Sequence, residues 1–344
     1  MDTRSGKPIA LILHRGEKLG DAVLRIPVYR ALRMALPEHS IVSASVEPTV
    51  WSTTLSAVRH EFIDKILVDQ PLDNGAGQIR TLIRSLGKVE FVFDLRSNKR
   101  VLWSYIATAG MPVRYLGNAA GYILRRRVRG FWEGRPASNA QRWHRMVELA
   151  VGRLLPFDSQ LAVQPAARDE SLRLLPEGRR FIGLSPGPDT NKFWDRERWT
   201  ALARHIADRN IEPVFLLGPQ ESDQRAWIER DGKSTIIDAG SVPDPALLPW
   251  VFHALADRAV GIVAAESGLG HLAATRGRAV LTIAGPTDAR QWRPVTPYHW
   301  VVQSTEFGSR ATNDIPLAVV DACVDEMVRW SLESGTSRMG GSPF

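Results

Sequence analysis

Residues 181–206 read FIGLSPGPDTNKFWDRERWTALARHI, and this stretch decides the fold class. Phe181–Ser185 is a short apolar run stopped by Pro186 and Gly187, the mark of a buried strand. After a polar loop, Trp199, Leu202, Ala203 and Ile206 recur at i, i+3, i+4 and i+7, the spacing that lays one apolar stripe along a helix. Strand, loop and helix in that order form a βα unit, and the alternation continues on both sides. Downstream, strands are expected at Pro213–Leu217, Thr235–Ile237, Ala259–Ala264, Val280–Ile283 and Trp300–Val302, with a closing helix over Leu317–Leu332. Upstream, Ile9–His14, Ile41–Val46, Lys65–Val68, Phe91–Asp94 and Val113–Tyr115 read as strands. Leu19–Leu36, Ile79–Leu86, Arg100–Ala109 and Arg142–Leu154 read as helices, and Pro27 predicts a break after the opening turn of the first.

A chain of 344 residues exceeds what one core serves well, so two domains are expected. Leu155 to Gly178 carries Pro156, Pro165 and Pro176 with few bulky apolar residues, which places the boundary there. The expected architecture is α/β: two Rossmann-like doubly wound domains facing across a cleft, over 1–165 and 178–316, then a helix over 317–333 and a disordered tail over 334–344. Hydrophobic residues at 44% and charged residues at 24% exclude collagen-like, coiled-coil and wholly disordered classes. Cys323 stands alone, which excludes an intramolecular disulfide or a four-cysteine metal site and suits a reducing cytoplasm. No apolar run approaches the roughly 20 residues that span a bilayer, and Ile9–Leu13 is too short for a signal-peptide core. The net charge of +7 favours anionic partners.

Two familiar patterns mislead. Gly183-Leu184-Ser185-Pro186-Gly187 matches the G-x-S-x-G nucleophile elbow, but the oxyanion hole of that class needs the backbone N–H after the serine, and Pro186 has none. Gly268-x-Gly270-x-x-Ala273 follows a strand and resembles a dinucleotide fingerprint, with Asp288 downstream. That motif normally opens its domain, whereas here about three strands precede it and Asp288 lies beyond Pro286 in a loop. An NAD(P)-dependent oxidoreductase using Gly268-x-Gly270 is therefore the alternative reading.

The features that fit together lie at strand ends. Gly20-Asp21 follows the first strand, where Asp21 is either a helix cap or a carboxylate at the mouth of the sheet. Ser185 to Trp194 combines Ser185, Gly187, Thr190 and Lys192 ahead of a helix N-terminus and suits a diphosphate, the alternative being a solvated loop lysine. Gly218-Pro219-Gln220-Glu221 and Glu266-Ser267-Gly268-Leu269-Gly270-His271 end two further strands of the same sheet. Open α/β sheets bind ligands at strand C-terminal ends, so convergence of the last three is the argument.

With these motifs assembled, the chain resembles the heptosyltransferases of glycosyltransferase family 9, which have the GT-B fold of two Rossmann-like domains. The resemblance rests on Leu19-Gly20-Asp21-Ala22-Val23-Leu24 with Pro27 and Ala31-Leu32-Arg33, on Asp94-Leu95-Arg96, and on Pro186-Gly187 with Lys192-Phe193-Trp194. It continues through Arg196-Glu197-Arg198-Trp199, Leu217-Gly218-Pro219, Ser267 to Ala274, Gly285-Pro286-Thr287-Asp288 and Trp292-Arg293-Pro294. It implies inverting transfer of a heptose-like sugar from a nucleotide donor, typically ADP-heptose, to a lipopolysaccharide-core or other anionic glycan. Asp21 matches the general base and Lys192 a residue on the donor diphosphate. Thr190 and Ser185 lie in the same loop, Glu221 is similar to a residue near the nucleoside, and Ser267, Gly268 and His271 fall where the family grips the donor. Glu266 stands where members usually carry Asp, which puts the donor's identity in question. The resemblance also implies a last helix packing back on the N-terminal domain.

No Asp-x-Asp pair occurs, which agrees with a mechanism needing no metal and no cofactor beyond the nucleotide sugar. The remaining alternative is a catalytically idle nucleotide-sugar-binding protein, against which both Asp21 and Lys192 argue. On the acceptor side stand Arg96 and the basic segment of Arg114, Arg125, Arg126, Arg127, Arg129 and Arg135, interleaved with Tyr115, Tyr122, Phe131 and Trp132. No nucleic-acid motif accompanies it, so an anionic glycolipid or the inner membrane surface is the expected partner of a cytoplasmic, peripherally bound protein, with an ordinary solvated loop as the bland alternative.

Overall fold

The computed structural model describes residues 6–97, 99–130, 132–188 and 193–337. The chain divides into two compact units between Ser159 and Gln160. The first contains β1 (Ile9–His14), α1 (Leu19–Leu24), α2 (Ile26–Ala35), β2 (Ser40–Ser45), β3 (Lys65–Leu67), α3 (Ala76–Ser85), β4 (Val89–Asp94), α4 (Arg100–Ala107), β5 (Arg114–Gly117), β6 (Arg125–Arg126) and α5 (Asn139–Val151). Its sheet runs β3-β2-β1-β4-β5-β6, parallel except where β6 turns back against β5. Leu11, Leu13, Val42 and Val92 are buried in one core with Ile79, Ile83 and Val101 from the covering helices. Burial from both faces explains why the strands read as continuous apolar runs. The break foreseen at Pro27 falls at Arg25, and Pro27 sits in the first turn of α2, where no N–H bond is lost.

The second unit contains α6 (Pro165–Leu174), β7 (Phe181–Ser185), α7 (Arg196–Ala207), β8 (Glu212–Leu216), α8 (Arg225–Asp231), β9 (Thr235–Ile237), α9 (Leu248–Arg258), β10 (Gly261–Ala265), α10 (Gly268–Ala274), β11 (Val280–Ala284), β12 (His299–Gln303) and α11 (Leu317–Ser337). Its sheet is parallel throughout, in the order β12-β11-β10-β7-β8-β9. Counted within each unit, both sheets therefore run 3-2-1-4-5-6, the doubly wound order whose switch point lies between the first and fourth strands. The switch points are β1/β4 and β7/β10. The stripe of Trp199, Leu202, Ala203 and Ile206 is fully used, and Trp194 meets Trp199 edge-on at 5.5 Å.

Two expectations change. The stretch expected as linker holds α6, because Pro165 opens a helix at its first position; Arg258 donates to the carbonyls of Ser171 at 2.9 Å and Leu175 at 2.6 Å, tying α6 to α9. The contacts described for α11 lie within its own unit: Val320, Val324 and Met327 are buried in the C-terminal core, and Asp325 accepts from His205 of α7 at 3.1 Å. Finally, α11 runs to Ser337, into the stretch assigned to a disordered tail, while 338–344 lie outside the described residues. Among the described residues no helix is long and apolar enough to cross a membrane.

Candidate functional site

In the N-terminal unit the switch point lies where β1 ends beside β4, Leu13 pairing with Asp94. Asp21 follows in the first turn of α1, half-buried, and its carboxylate accepts the backbone N–H of Lys18. Burial pushes its pKa up, partly offset by that N–H and by the Lys18 charge. The carboxylate thus steadies the helix start and is a stronger base than a solvated aspartate.

The same unit holds a cluster that sequence reading missed. Glu17, with its side chain fully buried, is ion-paired to Arg25, accepts the Thr49 hydroxyl and lies 3.6 Å from His14 Nδ1. Arg25 Nη1 is 3.0 Å from His14 Nδ1, and the guanidinium lies over the Trp143 ring at 5.4 Å. His14 Nε2 reaches Ser43 Oγ at 2.8 Å. Burial pulls Arg25 down to about 10 and His14 well below its ordinary value, so the arginine is charged and the histidine neutral at neutral pH. No spacing rule links Glu17, Arg25 and Thr49; only folding brings them together.

Arg96 is held by bonds within its own unit. It donates to both Asp94 carboxylate oxygens at 2.9 and 2.8 Å, to Asp73 at 3.1 Å, to the Leu72 carbonyl at 2.8 Å and to Ser104 Oγ at 2.7 Å. Burial alone would lower its pKa, but the Asp94 bonds and charge outweigh that and raise it. Arg125 lies across Gly130, Arg126 lies over the Tyr105 ring at 4.7 Å, and Arg127 is exposed.

In the C-terminal unit three loops meet at the switch point. Ser185 ends β7 and pairs with Ala264 of β10. Gly187 turns the chain at φ +72, a conformation that favours glycine, and a Cβ there would stand 3.5 Å from that of Ala265. Its carbonyl accepts Gln224 Nε2 at 2.5 Å, which joins the loop after β8 to the loop after β7. In that second loop Glu221 is buried and accepts the Gly218 N–H, and burial raises its pKa. Thr190 and Lys192 lie outside the described residues; beyond them Trp194 donates to the Ile315 carbonyl at 3.1 Å and anchors the far end of their loop.

The third loop is Glu266-Ser267, leading to Gly268, the first residue of α10. Ser267 holds the N-cap position without making a side-chain cap bond, and its Oγ is buried without a partner among the described residues. One turn on, His271 is buried, its Nδ1 also unpartnered, and burial lowers its pKa to about 4. Buried polar atoms are almost always bonded, so two without a partner among the described residues, one on the N-cap and one in the first turns of α10 beside the switch point, are notable. Asp288, the acid of the fingerprint reading, accepts from the Arg290 side chain at 3.2 Å, from Gln291 at 3.1 Å and from the Arg290 backbone at 3.0 Å within its own turn, bonds that hold its pKa down. It is occupied in the turn rather than poised at a strand end for a ribose.

The family model for glycosyltransferase family 9 (heptosyltransferase) matches residues 79–315. The chain belongs to this family. It is 28% identical over 176 residues to lipopolysaccharide heptosyltransferase 3 of Escherichia coli, a match covering 46% of this chain and 50% of that protein, so the alignment spans about half of that relative's length. A family 9 glycosyl transferase from Veillonella parvula superposes with a TM-score of 0.66 at 17% identity, covering 94% of this chain and 97% of the other. E. coli heptosyltransferase WaaC, solved with ADP, gives 0.63 at 15% identity over 93% and 100%. These likenesses fix the fold as GT-B, in agreement with the two doubly wound sheets.

Proposed function

We propose that this family 9 chain is an inverting, metal-independent glycosyltransferase that moves a heptose-like sugar from an ADP-activated donor to a lipopolysaccharide-core or similarly anionic acceptor. The observation that carries the reading is the pair of orphaned buried atoms, Ser267 Oγ and His271 Nδ1, at the switch point of the C-terminal sheet. They ask for a ligand rich in hydroxyl and phosphoryl oxygens, as a nucleotide sugar is. The WaaC structure with ADP supports the same nucleotide for this chain.

In the reaction the acceptor hydroxyl attacks the anomeric carbon from the face opposite the diphosphate. The new C–O bond forms as the bond to the phosphate oxygen breaks; the nucleoside diphosphate leaves with the electron pair, and the acceptor's proton passes to a base. Asp21 is that base, and its raised pKa suits it to hold a proton briefly. Lys192 is assigned to the departing diphosphate, where a fixed cation helps the transition state more than the ground state. The sequence has no Asp-x-Asp pair to hold a divalent ion in that role. Glu221 and Glu266 stand near the nucleoside and sugar, with Ser185, Gly187 and Thr190 along the diphosphate.

The test is Asp21→Asn, which keeps the shape and removes the base. Turnover is expected to fall by about two to four orders of magnitude while donor affinity, read by calorimetry with ADP, barely changes. Unchanged turnover would reduce Asp21 to a helix-start residue. A thermal shift with NAD(H) and none with ADP would replace this reading by the oxidoreductase.

A further inference from the structure

We infer that the outer side of α4 and the turn beside it dock on an anionic lipid bilayer. Helix α4 buries Val101, Ser104 and Ala107, as its amphipathic spacing requires. Yet Leu102, Trp103 and Ile106 are exposed at 45%, 42% and 44%, and with exposed Lys99 they share the opposite side of the helix. A soluble helix normally gives that side to polar residues. The adjoining turn is tied to the same helix: Arg126 of β6 donates to the Tyr105 carbonyl at 3.3 Å, and Tyr105 and Tyr115 rings meet at 5.9 Å. On that turn Ile123 is 60% exposed, and Trp132, lying over Gly121, is 66% exposed.

Charge identifies the occupant. Between Lys99 and Trp132 the sequence holds seven Lys and Arg residues and no Asp or Glu, a charge equal to the +7 of the whole chain. Exposed indole and aliphatic side chains within a basic rim match the boundary between headgroups and acyl chains of an anionic membrane. A second copy of this chain would set like charge against like charge. A nucleic acid would stack on Trp103 and Trp132 but has no use for Leu102, Ile106 and Ile123. The inference deepens the acceptor side of the proposed function and rests on that reading only for which membrane is met.

The experiment is co-sedimentation of the full chain with phosphatidylglycerol–phosphatidylethanolamine vesicles, and with phosphatidylcholine vesicles as the neutral control. The wild type is expected to pellet with the anionic vesicles alone. The triple variant Leu102→Ser/Trp103→Ser/Ile106→Ser and the pair Lys99→Glu/Arg129→Glu are each expected to lose about tenfold or more in partition. Because all five residues are at the surface, thermal melting and ADP affinity should match the wild type. Equal binding to neutral vesicles, or variants that partition like the wild type, would overturn the inference. So would a triple variant that instead loses a concentration-dependent dimer or RNA retention while keeping its vesicle binding. ADP binding with no vesicle binding would sink this inference alone; vesicle binding without ADP binding would sink the proposed donor.

Discussion

Ser267 carries a hydroxyl that is buried and unpartnered among the described residues, so its cost to the empty protein and its value to the proposed ligand separate cleanly. Ser267→Ala removes no cap bond, since the side chain makes none. The variant should melt no lower than the wild type, while ADP affinity drops by about three- to tenfold, the worth of one neutral hydrogen bond. Calorimetry and a melting curve on the same sample check both halves. Glu17 presents the opposite case, because its partner Arg25 is itself buried. Glu17→Gln strands that guanidinium, and removing one member of a buried pair costs about 3–5 kcal/mol. The midpoint in urea should fall accordingly, and Arg25→Met in the same background should recover part of the loss.

Among the elements, α11 shows how closely the C-terminal unit is packed. Met327 presses its sulfur over Gly261 at the start of β10, and a Cβ added there would sit 2.1 Å from it. Gly261→Ala should therefore destabilise by about 1–3 kcal/mol as the helix shifts or the methionine finds another rotamer. Combining it with Met327→Ala should cost less than the sum, and a double-mutant cycle in urea measures the difference. The elements also show what a sequence can and cannot disclose. Strands buried on both faces and the one-sided stripe of α7 were legible, because burial leaves a periodic trace. Helix α9 was not, since eight of its residues are buried around nearly the whole circumference and no stripe remains. Helix α6 was hidden by Pro165, read as a breaker where it acts as an opener. In the candidate site, the loops at strand ends were legible from glycines and hydroxyls. The Glu17–Arg25 pair was not, because its partners come from separate segments and carry no common spacing.

For the molecule as a whole, acid is the condition to which its histidines respond. His253 is lowered to about 3, His299 to about 3 and His271 to about 4, each chiefly by burial. His253 Nε2 lies 3.0 Å from Thr275 Oγ1, whose own proton goes to the Leu272 carbonyl at 2.7 Å, so the ring proton resides on Nε2. In every case the folded pKa is below the unfolded one, and the unfolded chain takes up the proton first. Stability is thus fully present above about pH 6.5 and is lost as pH falls toward about 3–4, by on the order of a few kcal/mol for each ring. Urea midpoints measured from about pH 8 down to about pH 5 should decline throughout the lower half of that range, and His253→Gln should flatten the slope.

The division between Ser159 and Gln160 bears on how such a chain changes over generations. Every loop assigned to the donor nucleotide lies after it, together with the described packing of α11 on β10, β11 and β12; Asp21 and the basic, apolar-faced α4 lie before it. A recombination joint at this point would cut no strand and open neither core. Lineages could then trade the first unit for another while inheriting the second as a single block.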